Sequence, residues 1–221
     1  EDLATIMLKL GCTDALNGDG GGSSYLWPED TGWGRKLGAA IVVKKEEVKP
    51  MKKRKLIIDA GHGGKDPGGG SNDKWLEKNM TLEISRYQKS RFDQLGYGDQ
   101  VTLTRSTDVY IDPSARTKLV RDSGAEYCIS NHINAGGGDG AEFIHSIHGD
   151  GTFEKLLADE VREEGQQIRR IFTRTLNDNP KKDYYFMHRE TGSVKTTIVE
   201  YGFADSKADD VNQLLNHWKD Y

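Results

Sequence analysis

The sequence predicts an α/β domain: a single layered unit with a twisted, mostly parallel or mixed sheet flanked by helices, preceded by a small N-terminal fragment. Two observations lead there. Over residues 51–221, short apolar runs of strand length alternate with longer segments whose apolar residues recur at helical spacing. Histidines and carboxylates also stand at the ends of several of those runs, where open α/β sheets collect their chemistry.

The elements follow in order. Residues 55–59 read as a strand. Residues 76–95 read as a helix because Leu76, Met80, Ile84, Tyr87 and Leu95 fall near one face, and Gly96 and Gly98 stop it. Residues 101–104 form a second strand. Asp112 at the cap and Pro113 in the first turn open a helix that runs to Ser123. Residues 126–130 and 141–147 read as strands. A long helix is expected over 153–176, carried by Leu156, Leu157, Val161, Ile168, Ile171, Phe172 and Leu176. Residues 184–187 and 196–201 read as strands, and 209–218 as a last helix. No internal repeat is visible.

Composition shifts near residues 44–54, where Lys44-Lys45-Glu46-Glu47-Val48-Lys49-Pro50 reads as a charged linker. The expected domains are therefore 1–49, an N-terminal fragment of an upstream domain plus linker, and 50–221, the α/β domain. Residues 1–49 are too few to bury a core alone. They read as a helix (Leu3, Ile6, Met7, Leu10), a glycine turn, and strands at 24–27 and 39–43. The run Asp19-Gly20-Gly21-Gly22-Ser23-Ser24, following Ala15-Leu16-Asn17, resembles the C-terminal fragment of a phosphodiester glycosidase domain. Only that terminal portion is matched, so the fragment is read as padding or a tether. The glycine run lacks a Gly-Lys-Ser/Thr ending, which argues against a nucleotide P-loop.

Charge and hydropathy exclude some classes. Net charge is −4 with pI about 5.9, and the longest basic run is Lys52-Lys53-Arg54, so no nucleic-acid partner is expected. No apolar stretch approaches the ~20 residues of a membrane helix, so no membrane insertion is expected. No signal peptide opens the chain, and Glu1 is not an initiator. Cys12 and Cys128 do not make a disulfide framework; Cys128, inside Tyr127-Cys128-Ile129, reads as a buried thiol. Neither cysteine decides the redox compartment.

The chemistry lies in His62, after Leu56-Ile57-Ile58-Asp59-Ala60-Gly61, and in His132, after Ser130-Asn131. Glu77 lies between them, and Glu200 follows Thr197-Ile198-Val199. Two imidazoles and two carboxylates brought to strand ends are the parts of a hydrolytic metal site. Glycines beside His62 allow a tight turn, and Glu77 at a helix start meets the favourable end of the dipole. His145, His148, His188 and His217 read as surface or structural residues.

Four motifs in sequence order extend this reading. They are Ile58-Asp59-Ala60-Gly61-His62-Gly63-Gly64-Lys65-Asp66-Pro67-Gly68-Gly69, Leu76-Glu77-Lys78-Asn79-Met80-Thr81-Leu82, Ser130-Asn131-His132-Ile133-Asn134-Ala135, and Val199-Glu200-Tyr201-Gly202-Phe203 trailed by Asp209. With Thr104-Arg105 and Ala115-Arg116 between them, residues 51–221 resemble the zinc-dependent N-acetylmuramoyl-L-alanine amidases of the type-3 class. The resemblance implies Zn2+ as cofactor, held by His62, Glu77 and His132. It implies Glu200 as the catalytic base that deprotonates the attacking water and then protonates the leaving amine. It further implies peptidoglycan as substrate, cleaved between N-acetylmuramic acid and L-alanine, and action at the bacterial cell wall as a phage endolysin or an autolysin. Two positions depart from the family pattern: Ser206 stands where an Asn is usual, and Asn131 replaces an apolar residue. The chain also stops before the family's final helix is usually complete, which implies a C-terminal truncation with room for a following wall-binding module.

Two other readings share these residues. One is a non-catalytic cell-wall-binding module that keeps the fold. The other is a two-histidine, one-carboxylate iron(II) oxygenase. Those sites usually start with His-x-Asp/Glu on a β-barrel strand, a pattern that His62-Gly63-Gly64 lacks.

Overall fold

Strand β1, Leu56–Ala60, is apolar enough to be buried on both sides and becomes an interior strand of a six-stranded sheet. The structure, a computed structural model, describes residues 54–221. The expectations for residues 1–49, Cys12 and the glycosidase-like run among them, lie outside the described residues. After β1 come α1 (Glu77–Gln94), β2 (Val101–Leu103), α2 (Pro113–Asp122), β3 (Tyr127–Asn134) and β4 (Ala141–His145). Then follow α3 (Thr152–Glu163), β5 (Ile168–Phe172), the small hairpin of β6 (Thr175–Leu176) and β7 (Asn179–Asp183), α4 (Phe186–Arg189), β8 (Lys195–Phe203) and α5 (Asp210–Asn216).

The sheet order is β2-β1-β3-β8-β4-β5. All neighbouring strands run parallel except β4 and β8, which run antiparallel. The expected mixed, mostly parallel sheet is therefore observed. The cap of α2 is also as expected, with the Asp112 carboxylate accepting from the Ser114 backbone N–H.

Three expectations are corrected. The helix expected over 153–176 ends at Glu163. Gly165 takes a left-handed φ of 95°, and Ile168–Phe172 leaves as strand β5 beside β4. The apolar residues of β5 happen to continue the helical phase of Leu157 and Val161, and the glycine was the contrary signal. The strand expected at 184–187 gives way to the short helix α4. Side chains hold its ends: the Arg189 guanidinium donates to the carbonyls of Asp183 and Tyr184, and the Thr191 hydroxyl to that of Met187. Finally, β3 runs on to Asn134, so His132 lies within the strand rather than past its end. Polar Ser130 and Asn131 did not stop it, because both are fully buried with side-chain partners.

Strand alternation divides the core in two. Ile129, Ile133, Phe143, Val199 and Tyr201 face one side, where Met80 and Ile84 of α1, Ala158 and Val161 of α3, and Leu214 of α5 cover them. On this face Asn131 is held by Ser85, Gln88 and the Tyr201 hydroxyl, a satisfied buried network that explains how a polar residue replaces an apolar one. Ile57, Cys128, Ile144 and Ile198 face the other side, against Val120 of α2 and Met187 of α4. Cys128 is fully buried, and burial pushes its thiol well above the usual range. The second face has less helical cover, which leaves room for a site.

At the base of that site, Asp59 is fully buried and its Oδ1 accepts from Arg116 Nη1 at 2.6 Å. Burial raises the Asp59 pKa, but Arg116 and hydrogen bonds from Thr104 and Ser130 outweigh it and hold the carboxyl below its ordinary value. Removing one member of a buried pair typically costs about 3–5 kcal/mol, because the other is left uncompensated. We predict that Arg116→Met destabilises the protein by about that amount at pH 7. A depressed carboxylate pKa stabilises above the unfolded value and loses its contribution as pH falls through the folded value. The gap between wild type and variant, measured by urea unfolding, should therefore narrow from pH 7 toward pH 3.

Candidate metal centre

The chain turns sharply at the end of β1. His62 takes φ 61°, a left-handed conformation unusual for a residue other than glycine, and Gly63 and Gly64 follow at φ 130° and 57°. Such strain costs of order 1–3 kcal/mol and persists only where neighbours enforce it. Two arginines do so here. Arg116 Nη2 donates to the His62 carbonyl at 2.7 Å, and Arg105 donates to the carbonyls of Ala60, Gly61 and Lys78. The Thr81 hydroxyl adds a bond to the Gly61 carbonyl, tying the turn to α1.

Glu77, the first residue of α1, is 2% exposed. Its Oε2 accepts from the Gly70 N–H at 2.7 Å, and its Oε1 from the Ile133 N–H at 3.0 Å. The same Oε1 lies 3.1 Å from His62 Nε2 and 3.0 Å from His132 Nδ1. The imidazole rings stand nearly perpendicular, 4.9 Å apart. One ligand atom from each of the three residues lies within 4.8 Å of the others. The structure thus gathers the ligand atoms of His62, Glu77 and His132 in one place.

The electrostatics agree with a cation site. Burial raises the Glu77 pKa, but the two imidazoles more than offset it and leave the carboxyl far below its ordinary value. Burial lowers that of His132, yet Glu77 carries it up to about 9. The anionic carboxylate and the imidazoles hold each other through a proton, whose place a divalent ion can take on binding. His62 also has a carboxylate behind it. Its Nδ1 faces Asp66 Oδ2 at 2.8 Å, which leaves Nε2 turned toward the cluster. Donor chemistry and spacing fit zinc, which favours imidazole and carboxylate ligands.

Glu200 sits one strand over, directly opposite His132 in the β3–β8 register. Partners in register share a face of the sheet, so its carboxylate lies beside the cluster. Its Oε2 is buried and has no hydrogen-bond partner among the described residues. Burial pushes its pKa up to about 7; His132 and His62 pull downward, while Glu77 and Glu142 push upward. A cavity spans the arrangement, with His62, His132 and Glu200 on its floor and Tyr110, Ile111, Phe186 and Met187 on its apolar wall.

The remaining histidines are structural or peripheral. His148 and His217 are exposed, and the His145 Nδ1 faces the Ser146 carbonyl. His188 is buried in α4, and burial takes it down to about 4, so it is neutral near pH 7. Asp139, Asp209 and Asp210 also cluster, but Asp210 is committed to the N–H groups of Gly140 and Phe203 and to Gln166. Ser206, where the family pattern has Asn, donates its hydroxyl to Asp139 in that same corner. Sequence reasoning did not assign Asp59, Asp66, Arg105 or Arg116 a part in the site. The available signals were Asp66 four residues after His62 and the Thr104-Arg105 and Ala115-Arg116 pairs between the motifs.

The chain belongs to the N-acetylmuramoyl-L-alanine amidase family, whose pattern matches residues 56–220. It is 30% identical over 158 residues to the sporulation-specific N-acetylmuramoyl-L-alanine amidase of Bacillus subtilis (strain 168), covering 70% of this chain and 58% of that protein. It is 31% identical over 160 residues to the endolysin of Bacillus phage SPP1, covering 69% of this chain and 56% of that protein. The chain thus spans somewhat over half the length of these relatives. Among solved structures, the catalytic domain of the amidase CwlV from Bacillus (Paenibacillus) polymyxa var. colistinus shares the fold, with TM-score 0.63, 23% identity, and coverage of 76% of this chain and 90% of that one. Cwp6 from Clostridium difficile gives TM-score 0.64 and 28% identity, covering 76% of this chain and 27% of that one. The α/β sheet is not the β-barrel on which two-histidine, one-carboxylate iron(II) sites usually sit, which counts against the oxygenase reading.

Close packing around the cluster yields a test. A Cβ on Gly61 would stand 2.4 Å from His132 Cε1 and 2.6 Å from Nε2, whereas one on Gly69 would meet nothing within 4 Å. Gly61→Ala should displace the imidazole and weaken zinc affinity at least about tenfold, while Gly69→Ala leaves it unchanged. Competition with a chromophoric chelator measures both.

Proposed function

We propose that residues 50–221 form a zinc-dependent hydrolase. It cleaves the amide between N-acetylmuramic acid and L-alanine in peptidoglycan, at the bacterial cell wall, as an endolysin or autolysin. Residues 1–49 are then a separate preceding fragment. Family membership supports the substrate class. The single observation that carries the mechanism is the buried, partnerless Oε2 of Glu200 beside the gathered His62–Glu77–His132 trio.

Zinc held by His62, Glu77 and His132 would polarise the amide carbonyl and bring the pKa of a water from 15.7 to roughly 7. The chain's own groups do the rest. Gly70 and Ile133 N–H groups fix the Glu77 carboxylate in its anionic form. Asp66 takes the Nδ1–H of His62 and so selects the tautomer whose Nε2 is free to ligate. Glu200 accepts a proton from the attacking water and returns it to the leaving amine. Its unsatisfied Oε2 has no protein hydrogen bond to break before doing so. Among the described residues, no helix is long and apolar enough to cross a membrane.

Digestion of purified sacculi tests this reading. Wild type should release peptides with new alanine amino termini, identified by mass spectrometry, and chelator should stop the release. Glu200→Gln should keep stoichiometric zinc while losing about 10²–10⁴-fold in rate. His62→Ala and His132→Ala should lose the metal itself. Undiminished hydrolysis by Glu200→Gln would refute the assigned base. Binding of sacculi with no bond opened would favour the wall-binding module instead.

A further inference from the structure

A second cleft adjoins Glu200 on the side away from the metal ligands. The two depressions share Asn134, Ala135, Tyr185 and Glu200, so Glu200 stands on the seam between them. One register row explains the layout. His132 pairs with Glu200, Glu200 with Glu142, and Glu142 with Arg170, across strands β3, β8, β4 and β5. A register shift between Ala141 and Glu142 breaks the alternation of β5, so that consecutive Arg169 and Arg170 both reach Glu142.

Glu142 is 1% exposed and its acceptors are taken: Oε1 by the two arginines and Oε2 by the Asn134 amide at 3.1 Å. One carboxylate thus answers two guanidinium groups. Arg174, a third, lies in the same cleft, is exposed, and has the Tyr185 hydroxyl rather than a carboxylate as its polar side-chain partner among the described residues. Its guanidinium lies 3.8 Å from the Tyr184 ring centre, and that of Arg170 lies 3.9 Å from that of Phe172. Aromatic stacking pre-orients planar guanidinium groups and leaves their N–H edges available for a carboxylate. The opposite cavity carries apolar Tyr110, Ile111, Phe186 and Met187 and no comparable excess of positive charge.

We propose that the Arg169–Arg170–Arg174 cleft is a subsite for the carboxylates of an acidic peptide, which places the amine side of the scissile amide over β5 and the acyl side over α4. This rests on the peptidoglycan amidase reading. It gives the site a polarity: Glu200, on the seam, hands its proton to an amine whose attached chain is anchored by its negative charge. Guanidinium–carboxylate pairs of this kind are charge-assisted and often bidentate.

Binding can be read without hydrolysis. The probes are a synthetic Ala-Glu-Lys peptide with a free amino terminus and free carboxylates, and the same peptide with every carboxylate converted to carboxamide. By titration calorimetry, the wild-type protein should bind the acid form at least about tenfold more tightly. Arg174→Gln should abolish most of that preference, and Arg174→Lys should restore part of it. Arg170→Gln supplies a second variant, since Arg169 still holds Glu142. Arg162→Gln, on α3 and paired with Asp159, should leave the preference intact. Equal binding of both probes by wild type, or a preference that survives Arg174→Gln and Arg170→Gln together, overturns the subsite. Sacculus digestion run alongside separates the two failures. Hydrolysis with no charge preference removes the subsite alone, and absent hydrolysis removes the amidase reading, whichever probe binds.

Discussion

The contact on which the site depends is the clamp of two buried arginines on the backbone leaving β1. Arg116 is neutralised by Asp59 and spends its remaining donors on the carbonyls of Ala60 and His62. Arg105 spends its own on Ala60, Gly61 and Lys78. Buried carbonyls at a left-handed residue would otherwise be unsatisfied as well as strained. The charges therefore do more than stabilise: they make one turn geometry far more favourable than its alternatives. That geometry aims His62 Nε2 at Glu77.

The three donors of the cluster come from different layers. His132 belongs to the sheet, His62 to a turn beyond it, and Glu77 to the helix that covers the other face. What lets Glu77 reach across is the backbone: the N–H groups of Gly70 and Ile133 converge on its carboxylate, Gly68 leaves no side chain in its way, and Gly70 packs directly on the Ile133 backbone. A Cβ on Gly68 would fall 2.4 Å from Glu77 Oε2. Glu200 then needs no separate support, because sheet register alone sets it opposite His132.

Much of this was legible in the sequence, for identifiable reasons. Buried parallel strands read as apolar runs, and β1, β2 and β8 stood out that way. Asp112-Pro113 announced α2 through cap chemistry that is wholly local. His62, Glu77, His132 and Glu200 were found because their motifs recur together in a family. The misses were nonlocal. The β5 segment kept a helical phase after its chain had turned at Gly165, and only pairing with β4 made it a strand. The short helix α4 is closed by Arg189 and Thr191, which no periodicity records. The pairs Thr104-Arg105 and Ala115-Arg116 marked the arginines but not the clamp, because their partners are mostly carbonyls, and a carbonyl leaves no mark on a sequence. The same holds for Asn131, whose polarity suggested a strand end until Ser85, Gln88 and Tyr201 were seen to satisfy it.

The position of β5 at one end of the strand order has a bearing on solubility. A terminal strand with the apolar residues Ile168, Ile171 and Phe172 is a template on which another chain could add itself by backbone pairing. Adjacent guanidinium groups at 169 and 170 set like charges against any second copy that approached in register. Replacing both by neutral residues would thus remove a guard against self-association, along with any change it made to the cleft.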